Sequence, residues 1–184
     1  MEEILKMLCD IRPLTDECLD DLRRFIKLQK VRKDEIILKI GEVNNKLYFI
    51  HTGAMHCFHY VGEEEVTDWF FFEREFVVSI GSFYDQVPSE DCIVALEDGE
   101  AYYIMHEHFE YLCRTHHCFS ELARRLLQKY LVVFHDHPRF IQRHTAAECI
   151  RIVRAKLGHL FYRVPRAILA SWLDMDPATF SRNQ

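Results

Sequence analysis

The chain has 184 residues, of which 49% are apolar, enough for one sizeable core or two small ones. No apolar run is long enough to cross a bilayer, and the acidic, amphipathic start MEEILKMLCD is wrong for a secretory signal. The seven scattered Cys (9, 18, 57, 92, 113, 118, 149) therefore read as reduced thiols in a cytoplasm rather than a disulfide framework.

Taken in order, residues 4–28 read as two helical pieces broken at Pro13. Thr15 or Asp16 can cap the second, with Leu19, Leu22, Phe25 and Ile26 facing inward. From Val31 the pattern changes to short β-rich runs: Glu35–Ile40, Lys46–His51, Met55–Tyr60, Val66–Phe72, Phe76–Ile80, Asp91–Ala95 and Glu100–Met105. Gly41, Gly53, Gly62, Gly81, Pro88 and Gly99 punctuate them, and Gly62 is a hairpin signal. Turn signals at this spacing predict an antiparallel barrel or sandwich. Glu107–Arg114 then predicts a short helix leading into a long one.

The long helix centres on Phe119–Phe134, which has neither Gly nor Pro and is rich in strong helix formers. Its apolar residues fall in two stripes. One is Phe119, Leu122, Leu126 and Val133; the other is Ala123, Leu127, Tyr130 and Phe134. A helix with two stripes is either fully buried or touches its own chain on one side and a second copy on the other. Its position between a β-rich body and a compact basic tail favours the second. The expected interface is Phe119, Leu122, Leu126, Tyr130 and Val133, with the helix spanning 113–138 and ended by Pro138.

Charge is divided unevenly. From Arg139 to the end eight Lys or Arg face three Asp or Glu, a net +5, while the first 138 residues hold 15 against 26, a net −11. A basic tail on an acidic body points to a polyanion partner for the tail alone; a solvated, Arg-rich helix face is the plainer alternative. Within the tail, Thr145 and Glu148 form a capping box for a helix over 145–159, with Gly158 as its stop. Next, Pro165 opens a helix carrying Leu169, Trp172 and Leu173, and Ala170 supplies a small residue for a crossing. Asp174-Met175-Asp176 makes a tight break, and Asp176-Pro177 starts a second helix anchored by Phe180. Two short helices about a three-residue turn predict a helix-turn-helix, which places its second helix in the DNA major groove.

These parts in this order resemble the Crp/Fnr family of bacterial transcription regulators. The most specific pieces are Leu47-Tyr48-Phe49-Ile50 with Gly53, Ala95-Leu96-Glu97-Asp98, Val164-Pro165 with Ile168-Leu169-Ala170, and Thr179-Phe180-Ser181-Arg182. The resemblance implies an α+β fold. An antiparallel β-roll (a double-stranded β-helix of cyclic-nucleotide-binding type) with flanking helices forms a sensor domain over 1–112. A dimerisation helix follows over 113–138, then a short or truncated helix-turn-helix domain over 139–184. It also implies a homodimer that binds double-stranded DNA and responds to a small-molecule effector. Arg163, Arg166, Thr179, Ser181 and Arg182 are the expected DNA-contacting residues. A sensor or interaction module that kept the architecture without binding DNA is the competing expectation.

The sequence departs from the family in two places. Family members that bind cyclic nucleotides carry a Gly-Glu pair for the ribose and an Arg-Ser or Arg-Thr pair for the phosphate. Those positions fall here on Val78-Ser79 and Ser89-Glu90. With an anion where the cation is needed, cAMP and cGMP are not expected to bind tightly. Ser79, Tyr84, Ser89 and Glu90 are the residues expected around any other effector. In the turn, Asp174 replaces the usual Gly, and Pro177 and Ala178 occupy base-reading positions where neither can make a bidentate contact. His106-x-His108, His135-x-His137 and Cys113 with His117 have ligand-like spacing, but no closed set of four emerges. Without a P-loop, dinucleotide fingerprint or nucleophile elbow, the expectation is no metal, no cofactor, no membrane and no enzymatic activity.

Overall fold

The computed structural model describes residues 1–183. Helices α1 (Glu2–Ile11) and α2 (Asp16–Phe25) flank Pro13. Thr15 is the cap of α2, its hydroxyl accepting from the Cys18 N–H at 3.3 Å. Leu22 and Ile26 are buried, while Leu19 and Phe25 are half-buried against the same core.

Eight strands follow: β1 (Lys27–Val31), β2 (Ile36–Leu38), β3 (Lys46–Thr52), β4 (Met55–Val61), β5 (Glu64–Phe71), β6 (Phe76–Val77), β7 (Cys92–Ala95) and β8 (Gly99–Met105). They form two four-stranded antiparallel sheets, ordered β1-β8-β3-β6 and β2-β7-β4-β5. The inner faces enclose a core around Ile50, Met55, Val77, Ile93, Ala95 and Ala101. Gly62, at φ 65, turns β4 into β5 as the sequence predicts.

Within the roll, two elements differ from the sequence reading. Lys27-Leu28-Gln29-Lys30 has helical propensity, yet it forms β1, because β8 offers a full row of partners from Gly99 to Tyr103. Pairing overrides a weak local preference. Ile80–Asp85, whose first residue was expected to end a strand, forms helix α3. Its Phe83 is completely buried beside Phe109, a contact only a helical turn after Ser79 can deliver.

Helices α4 (His106–Thr115) and α5 (His117–Arg143) pack with α1 and α2 on the first sheet. α5 runs through Pro138 instead of ending there. The turn beyond is held by tertiary contacts: His137 stacks on Trp172 at 4.2 Å and Phe140 packs against the C-terminal core. These offset the hydrogen bond that proline removes. α6 (Ala146–Leu157) has the expected capping box, with Gly158 at positive φ beyond it. A short 3₁₀ helix, Gly158–Tyr162, leads to α7 (Arg166–Trp172) and α8 (Pro177–Arg182). The C-terminal helices share a core with Ala54, Phe70 and Phe72 of the roll.

Candidate nucleic-acid interface and effector cleft

The C-terminal pair of helices is built as its sequence dictates. Ala170 is fully buried in α7, and Leu169, Leu173 and Phe180 are buried with it. Asp174 takes the left-handed conformation, φ 53, expected of a residue standing where a turn wants Gly. Asp176 caps α8: its carboxylate accepts from the Thr179 N–H at 2.9 Å and the Thr179 hydroxyl at 2.6 Å. Arg182 donates to the same hydroxyl at 3.1 Å. The Thr179 side chain is thus engaged within its own helix, while Ser181, Arg182 and, on α7, Arg166 are exposed. α7 lies on β5, where the Thr67 N–H donates to Ser171 Oγ at 2.9 Å.

Arg163 is placed otherwise than expected, which corrects its assignment as a free phosphate contact. Its guanidinium donates to both Glu73 oxygens, at 2.8 and 2.9 Å, and to both Glu97 oxygens, at 2.6 and 2.9 Å. It also lies over the Phe72 ring at 5.3 Å. The paired carboxylates use all the charge it carries. They are also the residues sequence reasoning missed, and the visible signal was two acids at the ends of apolar strands in a roll whose tail is basic.

The hydrogen bonds from Arg163 hold the Glu73 carboxyl down to about 2 from an ordinary 4.5. A depressed carboxylate pKa stabilises the fold fully above the unfolded value and ceases to do so as pH falls through the folded one. Arg163→Ala is therefore expected to cost about 1–2 kcal/mol at pH 7 in urea denaturation, discounted for partial exposure of the pair. That difference should shrink as pH drops from 4.5 toward 2.

The predicted effector residues divide. Ser79 and Ser89 are buried and the Ser89 hydroxyl donates to that of Ser79 at 3.0 Å, closing the loop around α3. Ser79 donates to the Asp91 carboxylate, and the Asp91 N–H donates to Ser89 Oγ at 3.0 Å. Glu90 is exposed beside them, on the rim of an open cleft of ≈ 680 Å³ that Ser89, Asp91, His59 and Tyr60 also line. Tyr84 is not there, which corrects its grouping with these residues. It lines a separate apolar cavity of ≈ 70 Å³ with Phe109, Leu126 and Tyr130, beneath α5. The reason is α3: a helix turns Tyr84 toward α4 and α5, where a strand would have carried it along the cleft.

The cleft's electrostatics oppose an anion. No Lys or Arg is among the described residues that line it. Asp68 sits on the adjacent strand, 2.9 Å from His59. Its carboxyl is raised by burial, against the lowering effect of His59, and Asp91 adds to the rise. The Ser79 hydroxyl, a donor that a phosphate would need, is already given to Asp91. Isothermal titration with cAMP and with cGMP is expected to detect no binding in the micromolar range; a micromolar isotherm would refute the expectation.

The long helix also needs a correction. Phe119 (6% exposed) and Leu122 (1%) lie in the core between α5 and the roll, so they are not free to form an interface. Leu126 packs on that core, and Tyr130 accepts a hydrogen bond from the Phe76 N–H at 3.0 Å. Val133 faces a cleft toward Trp69 and Trp172. The apolar residues left outward are Leu127, Leu131, Val132 and, at the mouth of that cleft, Val133. Leu127 and Leu131, with half-buried Phe134 beside them, follow the four-then-three spacing of a coiled-coil seam.

Residues 28–116 match the family model of the cyclic nucleotide-binding domain. Among solved structures the chain is similar to FixK2 from Bradyrhizobium japonicum, at 17% identity and a TM-score of 0.73 over 86% of this chain and 82% of that one. It is similar to the c-di-GMP-responsive global regulator CLP of Xanthomonas campestris, at 16% identity and a TM-score of 0.69 over 92% and 89%. A structure from Eubacterium rectale ascribed to the Crp/Fnr transcriptional regulators matches at 14% identity and a TM-score of 0.72 over 92% and 82%. At these identities the likeness establishes the fold. A search of curated protein sequences returns no match. No helix among the described residues is long and apolar enough to cross a membrane.

Proposed function

We propose that this chain is a cytoplasmic, homodimeric, DNA-binding transcription regulator of the Crp/Fnr type that does not respond to cAMP. The roll and its flanking helices sense a small molecule, α5 pairs the subunits, and the segment from residue 139 onward reads DNA. The observation that carries this reading is α8. It is capped by Asp176 and anchored by Phe180, and it turns Ser181 and Arg182 to solvent from a basic tail. Arg182 is suited to the O6 and N7 edge of a guanine, and Arg166 to a backbone phosphate.

The test is a salt-dependent gel shift with duplex DNA. Binding should weaken as salt rises. Arg166→Ala is expected to weaken binding to all sequences alike and to lower the salt slope by about 1. Arg182→Ala is expected to cost about 1–3 kcal/mol and to relax preference at one base pair. Failure to bind any duplex at low salt would favour the second reading, an effector-sensing module without DNA binding. Two features support that alternative: the charge of Arg163 is fully taken by Glu73 and Glu97, and Pro177 and Ala178 open α8.

A further inference from the structure

Cys18, in the first turn of α2, and Cys118, in the first turn of α5, are brought to one point by helices far apart in sequence. Thr15 joins them. Its hydroxyl accepts from the Cys18 N–H at 3.3 Å and lies 3.9 Å from Cys118 Sγ, so both cysteines meet the same side chain, and both belong to one apolar cluster. Three further contacts keep this end of α5 against α1 and α2. Arg12 pairs with Glu121 at 2.7 Å, Arg125 donates to the Ile11 carbonyl at 2.9 Å, and His116 meets Asp21 at 3.0 Å. The two cysteines are therefore held together about Thr15.

Their surroundings differ in the way an oxidisable pair requires. Cys18 is completely buried, whereas Cys118 is only partly covered. Burial foremost, then the adjoining Cys118, pushes the Cys18 thiol up to about 12. Slight burial would raise Cys118, but hydrogen bonds from Thr15, Cys18 and the Phe119 N–H outweigh it and lower the thiol below its ordinary value. The N-terminus of a 27-residue helix favours negative charge at the same atom. Thiolate character thus falls on the sulfur that solvent reaches, and the protonated thiol waits behind it. Cys57 and Cys92 also neighbour one another, but both are buried in the roll.

We propose that Cys18 and Cys118 form a peroxide-oxidisable dithiol whose product is an intrachain disulfide pinning α2 to the start of α5. The Cys118 thiolate attacks one oxygen of hydrogen peroxide. A sulfur–oxygen bond forms, the oxygen–oxygen bond breaks, and hydroxide leaves to become water. The Cys18 sulfur then attacks the sulfenic sulfur of Cys118. A sulfur–sulfur bond forms, the sulfur–oxygen bond breaks, and the departing hydroxide takes the Cys18 thiol proton as a second water. Two thiols lose two electrons and one peroxide gains them.

The experiment uses the reduced full-length protein, dosed with hydrogen peroxide, blocked with N-ethylmaleimide and digested without reductant for mass spectrometry. The expected result is loss of two of the seven alkylatable thiols. A Cys18–Cys118 linked peptide should appear and dithiothreitol should reverse it. Cys118→Ser should keep all its remaining thiols at the same dose. Cys18→Ala, checked for native circular dichroism, should accumulate a dimedone adduct on Cys118. Linkage through another pair, crosslinks between chains, or oxidation of Cys118 no faster than Cys9 and Cys113 would overturn the proposal. Neither DNA binding nor dimerisation is read, so the outcome stands apart from the fate of the regulator assignment.

Discussion

Leu131→Asp is expected to turn the proposed dimer into a monomer while leaving each subunit folded. Leu131 is the most exposed of the large apolar residues of α5, at 69%. In an isolated subunit its replacement removes almost no buried surface, so the unfolding free energy should move by no more than about 0.5 kcal/mol. Between two copies of α5 the same carboxylate would be buried without a partner, which costs several kcal/mol. Each 1.4 kcal/mol is about tenfold in the dissociation constant, so the dimer should weaken by more than about a hundredfold. Analytical ultracentrifugation at micromolar concentration, with thermal melts of both proteins, reads the two effects separately. An unchanged dimer would move the interface off the Leu127–Leu131 seam. Leu122→Asp provides the contrast: it should unfold the subunit, because Leu122 is sealed between α5 and the roll.

Gly99→Ala should be the most damaging small substitution in the roll. Gly99 opens β8 where that strand passes the bend between β3 and β4. A Cβ there would stand 2.1 Å from the Thr52 carbonyl oxygen and 3.2 Å from the Gly53 Cα, both backbone atoms that cannot swing away. Relief requires β8 to separate from β3, the strand it pairs with across almost its whole length. A loss of more than about 4 kcal/mol is expected, against a total stability of roughly 5–15 kcal/mol for a folded domain. Urea denaturation checks it. Gly81→Ala is the control: Gly81 sits in α3 with nothing within 4 Å of its added Cβ, and it should stabilise by about 0.5–1 kcal/mol.

The β-roll was legible because most strands announce themselves by apolar runs between Gly and Pro. β1 was hidden since its residues favour a helix until β8 is present, and α3 because its helical turn is set by burial of Phe83. In the candidate DNA interface, caps and turns were readable one residue at a time: Thr145 with Glu148, Asp174 at positive φ, and Asp176 before Pro177. Arg163 was misjudged because a sequence displays its charge but not Glu73 and Glu97, which reach it from the β5–β6 and β7–β8 loops of the roll. Cys18 and Cys118 looked unrelated for the same reason.

By itself the sequence determined the order of parts, most of the strands, and the caps that start α2, α6 and α8. These depend on neighbours within a few residues, where propensity, capping and spacing act directly. Only the tertiary structure decided which residues of each α5 stripe face inward, which of the tail's arginines is paired, and which hydroxyls meet. Two apolar stripes on one helix are equivalent until the roll is folded, since each buries similar area. The roll's surface then takes Phe119, Leu122 and Leu126 from one stripe and Ala123 and Tyr130 from the other, and leaves Leu127, with Leu131 of neither, on the outer face.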